Sequence, residues 1–226
     1  MTEPTIENTG RGPLSTDELA AVIGHDIPAG SYVNLGIGQP TKIADYLPTD
    51  ENGDQAVILH TENGMLGMGP TATGDAIDPD LTNAGKVPVT ELPGAAYFHH
   101  ADSFAMMRGG HLDVCVLGAY QVAANGDLAN WHTGRPEDIP AVGGAMDLAI
   151  GAKDVYVTMT LFTKKGESKL VQQCTYPLTG LACVSRVYTD YAVFDILPAA
   201  RGVHVRATYG ITLAGLRERV NVKLLG

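Results

Sequence analysis

The chain has 226 residues, 45% of them hydrophobic and 18% charged, with a net charge of -10. That is enough apolar material for one substantial core and predicts a single domain over residues 15–226 behind a flexible arm over residues 1–14. An acidic balance without clustered Lys and Arg excludes nucleic acid and anionic membranes as partners, because both need basic groups to neutralise phosphates.

Ser15 and Glu18 form a capping box ahead of Leu19, Ala20, Val22 and Ile23, so a first helix starts there. Ser31 to Leu35 reads as a strand, Gly36-Ile37-Gly38-Gln39-Pro40 as its exit, and Thr41 to Leu47 as a helix with Pro40 in its first turn. After a polar loop from Leu47 to Gln55, the apolar run Ala56-Val57-Ile58-Leu59-His60-Thr61 reads as a buried strand that delivers Glu62 to the bend Asn63-Gly64. The continuation to Pro70 reads as glycine-rich turn, and Thr71 to Pro79 as an irregular surface excursion. Ala84 to Thr90 is a short strand or bend, and Tyr97 to Met107 mixes residue types ahead of Arg108-Gly109-Gly110.

Leu112 to Gly118 is the next clear strand, and Asn125-Gly126-Asp127-Leu128 a hairpin turn toward the single tryptophan, Trp131. Gly143 to Ala149 opens a short helix and Val155 to Met159 is a β-branched strand. Lys164 to Lys169 reads as a charged, solvated hairpin tip returning through Leu170-Val171. Val187 to Thr189 and Tyr191 to Ile196 are strands, His204 fits a last one, and Thr212 to Val220 closes as an amphipathic helix. Early alternation of strand and helix, with strands dominating late, predicts an α/β fold: an open, mainly parallel sheet flanked by helices, with an added β portion.

Cys115, Cys174 and Cys183 are odd in number and match no metal spacing, which reads as reduced core thiols in a cytoplasmic protein. No signal-peptide pattern opens the chain, and no run approaches the roughly 20 apolar residues of a membrane span. Gly36-x-Gly38 lacks the third glycine of a dinucleotide fingerprint, but its backbone amides sit where a carboxylate or phosphate is favoured. Asn34, at the end of its strand, offers an amide donor or satisfies a turn. His99, His100 and His111 lack a metal-binding pattern and read as ordinary hydrogen-bonded histidines; no metal site is predicted. The Glu-Asn-Gly triplet occurs twice. The copy at Glu51-Asn52-Gly53 follows Pro48-Thr49-Asp50 and reads as a surface turn, whereas Glu62 leaves a strand. Glu62 is therefore either a carboxylate held at a site or the polar first residue of a turn.

Read together, Asn34-Leu35-Gly36-Ile37-Gly38, Thr61-Glu62-Asn63-Gly64 with Gly67-Met68-Gly69-Pro70, Asn83-Ala84-Gly85-Lys86, Asp102-Ser103-Phe104-Ala105-Met106, Arg108-Gly109-Gly110-His111, Gly126 to Trp131 and Gly143 to Asp147 carry a likeness. In this order they resemble the B subunit of the succinyl-CoA:3-oxoacid CoA-transferases, most of all the 3-oxoadipate branch. The resemblance implies the open α/β fold shared with ribose-5-phosphate isomerase and glucosamine-6-phosphate deaminase. It implies Glu62 as covalent nucleophile, Asn34 in the active site, Gly144 and Ala145 as an oxyanion-stabilising pair, and Lys86 as a contact to coenzyme A.

It further implies no bound cofactor, a coenzyme A thioester as substrate, and a homologous A subunit in an A2B2 heterotetramer. Transfer from succinyl-CoA to a 3-oxo acid, 3-oxoadipate or acetoacetate, is the expected reaction. A hydrolase of acyl-CoA on the same fold and a non-catalytic sugar-phosphate module are the alternatives. The chain departs from the family where His132 to Ile139 replaces a lysine-rich loop, where Val142 replaces methionine and where the loop Asp50 to Gln55 is longer.

Overall fold

A computed structural model describes residues 7–8, 10–83, 85–137, 139–140, 142–197 and 202–226. Residues 1–6 and 9 of the expected arm, Ala84 of the lysine turn and Asp138 of the 132–139 loop lie outside the described residues. The first half of the chain runs β1 (Glu7–Asn8), α1 (Thr16–Asp26), β2 (Tyr32–Leu35), a 3-10 helix (Gln39–Tyr46), β3 (Ile58–Thr61), β4 (Met65–Thr71), β5 (Val89–Tyr97), α2 (His100–Arg108) and β6 (Val114–Gly118). The second half runs β7 (Gln121–Ala123), β8 (Leu128–Ala129), α3 (Ala145–Gly151), β9 (Asp154–Met159), β10 (Leu170–Val171), β11 (Val184–Thr189), β12 (Ala192–Leu197), β13 (Gly202–Thr208), α4 (Leu213–Arg219) and β14 (Leu224–Leu225).

The centre of the main sheet is parallel, in the order β3-β2-β6-β9-β11. Antiparallel strands extend it at both sides, β4 and β5 beyond β3, and β12 and β13 beyond β11. A small second sheet pairs β10, β7 and β8. Parallel strands need both faces covered, and the alternation of side chains supplies two apolar surfaces from one strand. In β6, Val114 and Val116 pack with Leu19, Ile23 and Ile43 under α1 and the 3-10 helix. Cys115 and Leu117 of the same strand face Met107, Leu148 and Leu216 from α2, α3 and α4. Cys115 is fully buried, and all three cysteines are free thiols.

The chain leaves β2 for β3 on one side and then crosses to β6 on the other. Where the winding direction reverses, the loops leaving β2 and β6 diverge and leave a crevice beyond the carboxyl ends of the strands. Gly36 and Gly118, the residues at those ends, both line a cleft there.

Three expectations change. Residues 39–46 wind as a 3-10 helix, with Thr41 N–H bonded to Gly38 O at 3.2 Å, in place of an α-helix over Thr41 to Leu47. The glycine-rich segment after Glu62 is strand β4, and the unassigned stretch after Thr90 continues as β5. Pro93 and Gly94 fit in β5 because it is the outer strand of the sheet, where a missing ladder donor costs little. The arm is tied down in part: Glu7–Asn8 pair in parallel with Ala207–Thr208, and Leu14 N–H bonds Asp190 O at 2.7 Å. The capping box forms as expected, with the Ser15 backbone N–H 2.8 Å from Glu18 Oε2. No helix among the described residues is long and apolar enough to cross a membrane.

The bend between β3 and β4 depends on Gly64, whose φ of +113° side chains rarely adopt, and a Cβ there would overlap the Phe98 carbonyl oxygen. Gly64→Ala is expected to destabilise the protein by about 2 kcal/mol or more, read as a lowered urea midpoint with the slope unchanged.

Candidate active site

Strand β3 carries the key side chains at its carboxyl end. His60 is 2% exposed and Asn34, beside it on β2, 3%. Asn34 Nδ2 lies 3.1 Å from His60 Nδ1 and 3.2 Å from the His60 carbonyl oxygen. A carbonyl only accepts, so the amide nitrogen must face His60, and the imidazole Nδ1 is the acceptor. The proton therefore sits on Nε2, which donates to Ser103 Oγ at 2.9 Å, and the serine hydroxyl donates to Thr61 O at 3.0 Å. This chain of bonds ties β2, β3 and α2 together one residue before Glu62. Burial pushes the His60 pKa down to about 4, so the ring is neutral near pH 7.

These bonds correct the expectation that Asn34 offers an amide donor. Both of its N–H groups are committed to His60, and its Oδ1 is buried without a donor among the described residues. Asn34 lines a cavity of about 180 Å³ with Glu62, Lys42 and Asn83, while its Oδ1 is closed off from solvent.

Glu62 is half-buried at the end of β3. His100 Nδ1–H, from the first turn of α2, donates to the Glu62 carbonyl at 2.8 Å and pins its backbone. The carboxylate lies against Gly144, so closely that an added Cβ would sit 2.7 Å from Glu62 Cδ and Oε2. Burial raises the Glu62 pKa above the ordinary carboxylate value; the Asp147 charge adds to the rise, and His100 and the nearby Gly144 backbone partly oppose it. Arg108, at the end of α2, grips Asp147 at 2.6 Å and so links α2 to α3. The second Glu-Asn-Gly copy is an exposed turn, with Asp50 Oδ1 accepting from the Asn52 and Asp54 N–H groups.

Gly144 and Ala145 are not equivalent. The Gly144 backbone lies against Glu62, whereas Ala145 N–H points back to Val142 O at 3.4 Å; both residues line a second cleft, of about 500 Å³, with Gly36, Gly118 and Tyr120. Among the described residues, Glu62 is the one common to the walls of this cleft and of the smaller cavity. Lys86 does not join them directly. It is exposed, at φ +60°, in a turn whose Asn83 Oδ1 accepts from the Gly85 and Val87 N–H groups. Asn63 Nδ2 bonds Thr82 O at 3.1 Å, which brings that turn beside the bend after Glu62.

His99 caps α2 through the Ala101 N–H. Among the described residues no group of three or more His, Cys, Asp or Glu is arranged to hold a metal ion.

Sequence reading missed Ser103, His100 and Lys169, whose side chain reaches the larger cleft. His60 had a visible signal, a histidine inside an apolar run; Ser103 had none, because α2 lacks an apolar period.

The chain matches the family described as Coenzyme A transferase over residues 16–212. It is 56% identical over 212 residues to the B subunit of the 3-oxoadipate CoA-transferase of Acinetobacter baylyi, covering 94% of this chain and 95% of the relative. It is 63% identical over 185 residues to the protein of the same name from Pseudomonas putida, covering 82% and 84%. The fold is similar to that of an acyl-CoA transferase apoenzyme from Escherichia coli O157:H7, with a TM-score of 0.66 and 19% identity, covering 96% of this chain and 44% of that longer one.

The unfolded chain holds a His60 proton below the ordinary value of 6.5, and the folded one only below about 4. Stability is therefore lost as pH falls through that window, by about 3 kcal/mol when complete. His60→Gln is expected to flatten this acid limb in urea melts taken from pH 7 to pH 4; an unchanged limb would assign it to another group.

Proposed function

Because the chain belongs to the coenzyme A transferase family, we propose that it transfers coenzyme A from succinyl-CoA to a 3-oxo acid, foremost 3-oxoadipate, through a thioester on Glu62. The observation that carries this reading is the position of Glu62 in the shared wall of two cavities, held against the Gly144 backbone. A thioester laid across that wall puts its coenzyme A arm on one side of the carboxylate and its acyl group on the other.

The Glu62 carboxylate attacks the thioester carbonyl carbon, the C–S bond breaks, and coenzyme A leaves as thiolate. The thiolate attacks the Glu62 carbonyl of the mixed anhydride, releasing succinate and leaving Glu62 as its coenzyme A thioester. The acceptor carboxylate attacks this thioester and expels the thiolate again. The thiolate then takes the acceptor acyl carbon, and Glu62 is restored. No water enters and no proton is consumed.

A carboxylate of ordinary basicity displacing a thiolate is uphill by about 5 kcal/mol when the basicity gap is fully expressed. Burial of Glu62 raises its basicity and narrows that gap. The Gly144 backbone, lying against the resting carboxylate, is placed for charge that develops on the glutamyl oxygen. On the cavity side, the turn carrying Lys86, whose Asn83 and Val87 line the cavity, meets the more distant anionic part of coenzyme A. The relatives are named as B subunits, which implies a companion A subunit. We propose that the two assemble as A2B2 in the cytoplasm.

The assembled enzyme, treated with succinyl-CoA and analysed by mass spectrometry after denaturation, is expected to carry coenzyme A on Glu62. Glu62→Gln is expected to carry none, with no loss of thermal stability, since it removes a carboxylate whose charged form burial disfavours. A label on another residue, or one that persists in the variant, overturns the assignment. Gly144→Ala places a methyl group 2.7 Å from the carboxylate and is expected to slow adduct formation by about 100-fold or more in rapid-quench measurements.

A further inference from the structure

We infer that Lys169 reads the far carboxylate of the dicarboxylic acids whose coenzyme A esters this enzyme exchanges, and so sets its preference for them over monocarboxylic acids. The inference rests on the transferase reading of Glu62 and deepens it. Among the described residues lining the 500 Å³ cleft, Glu62 is the one acid and Lys169 the one cation.

Lys169 was expected in a solvated hairpin tip, but the tip ends before it. Lys164 and Lys165 are exposed, and the hairpin closes through Thr163 N–H to Glu167 O at 2.8 Å and a bridge between Phe162 and Ser168. Lys169 lies at the base, where both backbone groups are clamped. Its N–H donates to Leu161 O at 2.9 Å, and its carbonyl accepts from Val122 N–H at 3.0 Å. The side chain leaves this clamp half-buried and enters the cleft beside Thr158, Met159 and Thr160.

The ammonium has little to hold it there. Its hydrogen bond is a long one, 3.5 Å to Thr160 Oγ1, and among the described residues no carboxylate lies within ion-pair distance. Other cations do have acidic partners: Lys42 has Asp17, Lys153 has Asp113 and Arg108 has Asp147. The nearest acid by its influence is Asp190, whose Oδ1 already accepts from Leu161 N–H at 2.8 Å. Burial lowers the Lys169 pKa, the signature of a charge that has lost water without a full replacement. A half-desolvated, unpaired ammonium costs free energy that an arriving anion recovers.

The chemistry says which anion. Succinate and 3-oxoadipate each react through one carboxylate, and the other stays ionised throughout, so a fixed cation on the acyl side of Glu62 serves donor and acceptor alike. In the transferase reading coenzyme A takes the separate cavity at Asn34, whose described walls do not include Lys169.

The test uses the enzyme assembled with its A subunit, wild type and Lys169→Met, with succinyl-CoA and butyryl-CoA as donors. These share the whole coenzyme A body and differ in carboxylate against methyl at the far end of the acyl group. In kcat/KM for adduct formation, Lys169→Met is expected to lower the succinyl-over-butyryl ratio by about 10- to 100-fold, as loss of a charged hydrogen bond does. Lys169→Arg is expected to keep the ratio. A ratio that does not move, with both donors losing rate together, overturns the inference and gives Lys169 to coenzyme A or to the fold. Failure of the transferase reading looks different, because wild type then forms no adduct with either donor. Thermal stabilisation by free succinate relative to butyrate needs no turnover. A wild-type difference that persists in Lys169→Met would also overturn the role of Lys169.

Discussion

One neutral imidazole holds the working end of the sheet together. His60 accepts from Asn34 on β2 and donates to Ser103 on α2, and Ser103 returns a hydrogen bond to Thr61 on β3. The arrangement requires an uncharged ring. A proton on Nδ1 would set a donor against the Asn34 amide, whose own orientation is locked by the His60 carbonyl. Desolvation by the surrounding core keeps that proton away, so packing and polarity enforce the same state. Glu62 follows directly in the chain and inherits its position from this network.

Helix α2 acts twice. It supplies Ser103 to the strand end and His100 to the Glu62 carbonyl, and its last residue, Arg108, binds Asp147 on α3. The residue preceding α3 is Gly144, whose backbone lies against the Glu62 carboxylate. Glu62 and the Gly144 backbone facing it are therefore set by one helix, which explains how residues 82 positions apart in sequence keep van der Waals contact. The Glu62 carboxylate sits between opposed influences. Burial and Asp147 make it more basic, while His100 and Gly144 keep its charged form accessible. For acyl exchange that balance suits an attacking group that must later leave.

Much of the fold was legible. The capping box at Ser15, the β-branched runs of β6 and β9 and the turn at Gly126 act through local chemistry, and they form where those patterns place them. The segments that were not legible draw on neighbours instead. Strand β4 contains Gly67, Gly69 and Pro70, poor strand formers by propensity, and exists because β3 and β5 flank it on both sides. Helix α2 has a histidine cap and no clean apolar stripe, and it is stabilised by what its polar residues meet in the site. Lys169 shares its sequence neighbourhood with two solvated lysines, and nothing local distinguishes it.

By itself, the sequence determined where a held carboxylate lies. An apolar strand ending in Glu-Asn-Gly, together with the ordered glycine motifs, specifies a held carboxylate at a tight bend, because strand periodicity and positive-φ glycine are properties of the chain alone. Only the tertiary structure decided how that carboxylate is surrounded. Asn34 gives its amide N–H groups to His60, Gly144 touches Glu62 while Ala145 turns away, and Lys169 reaches the cleft while Lys86 stands outside it. Hydrogen-bond direction and charge environment depend on which distant groups share a small volume, and that sharing is created by the packing of helices on the sheet.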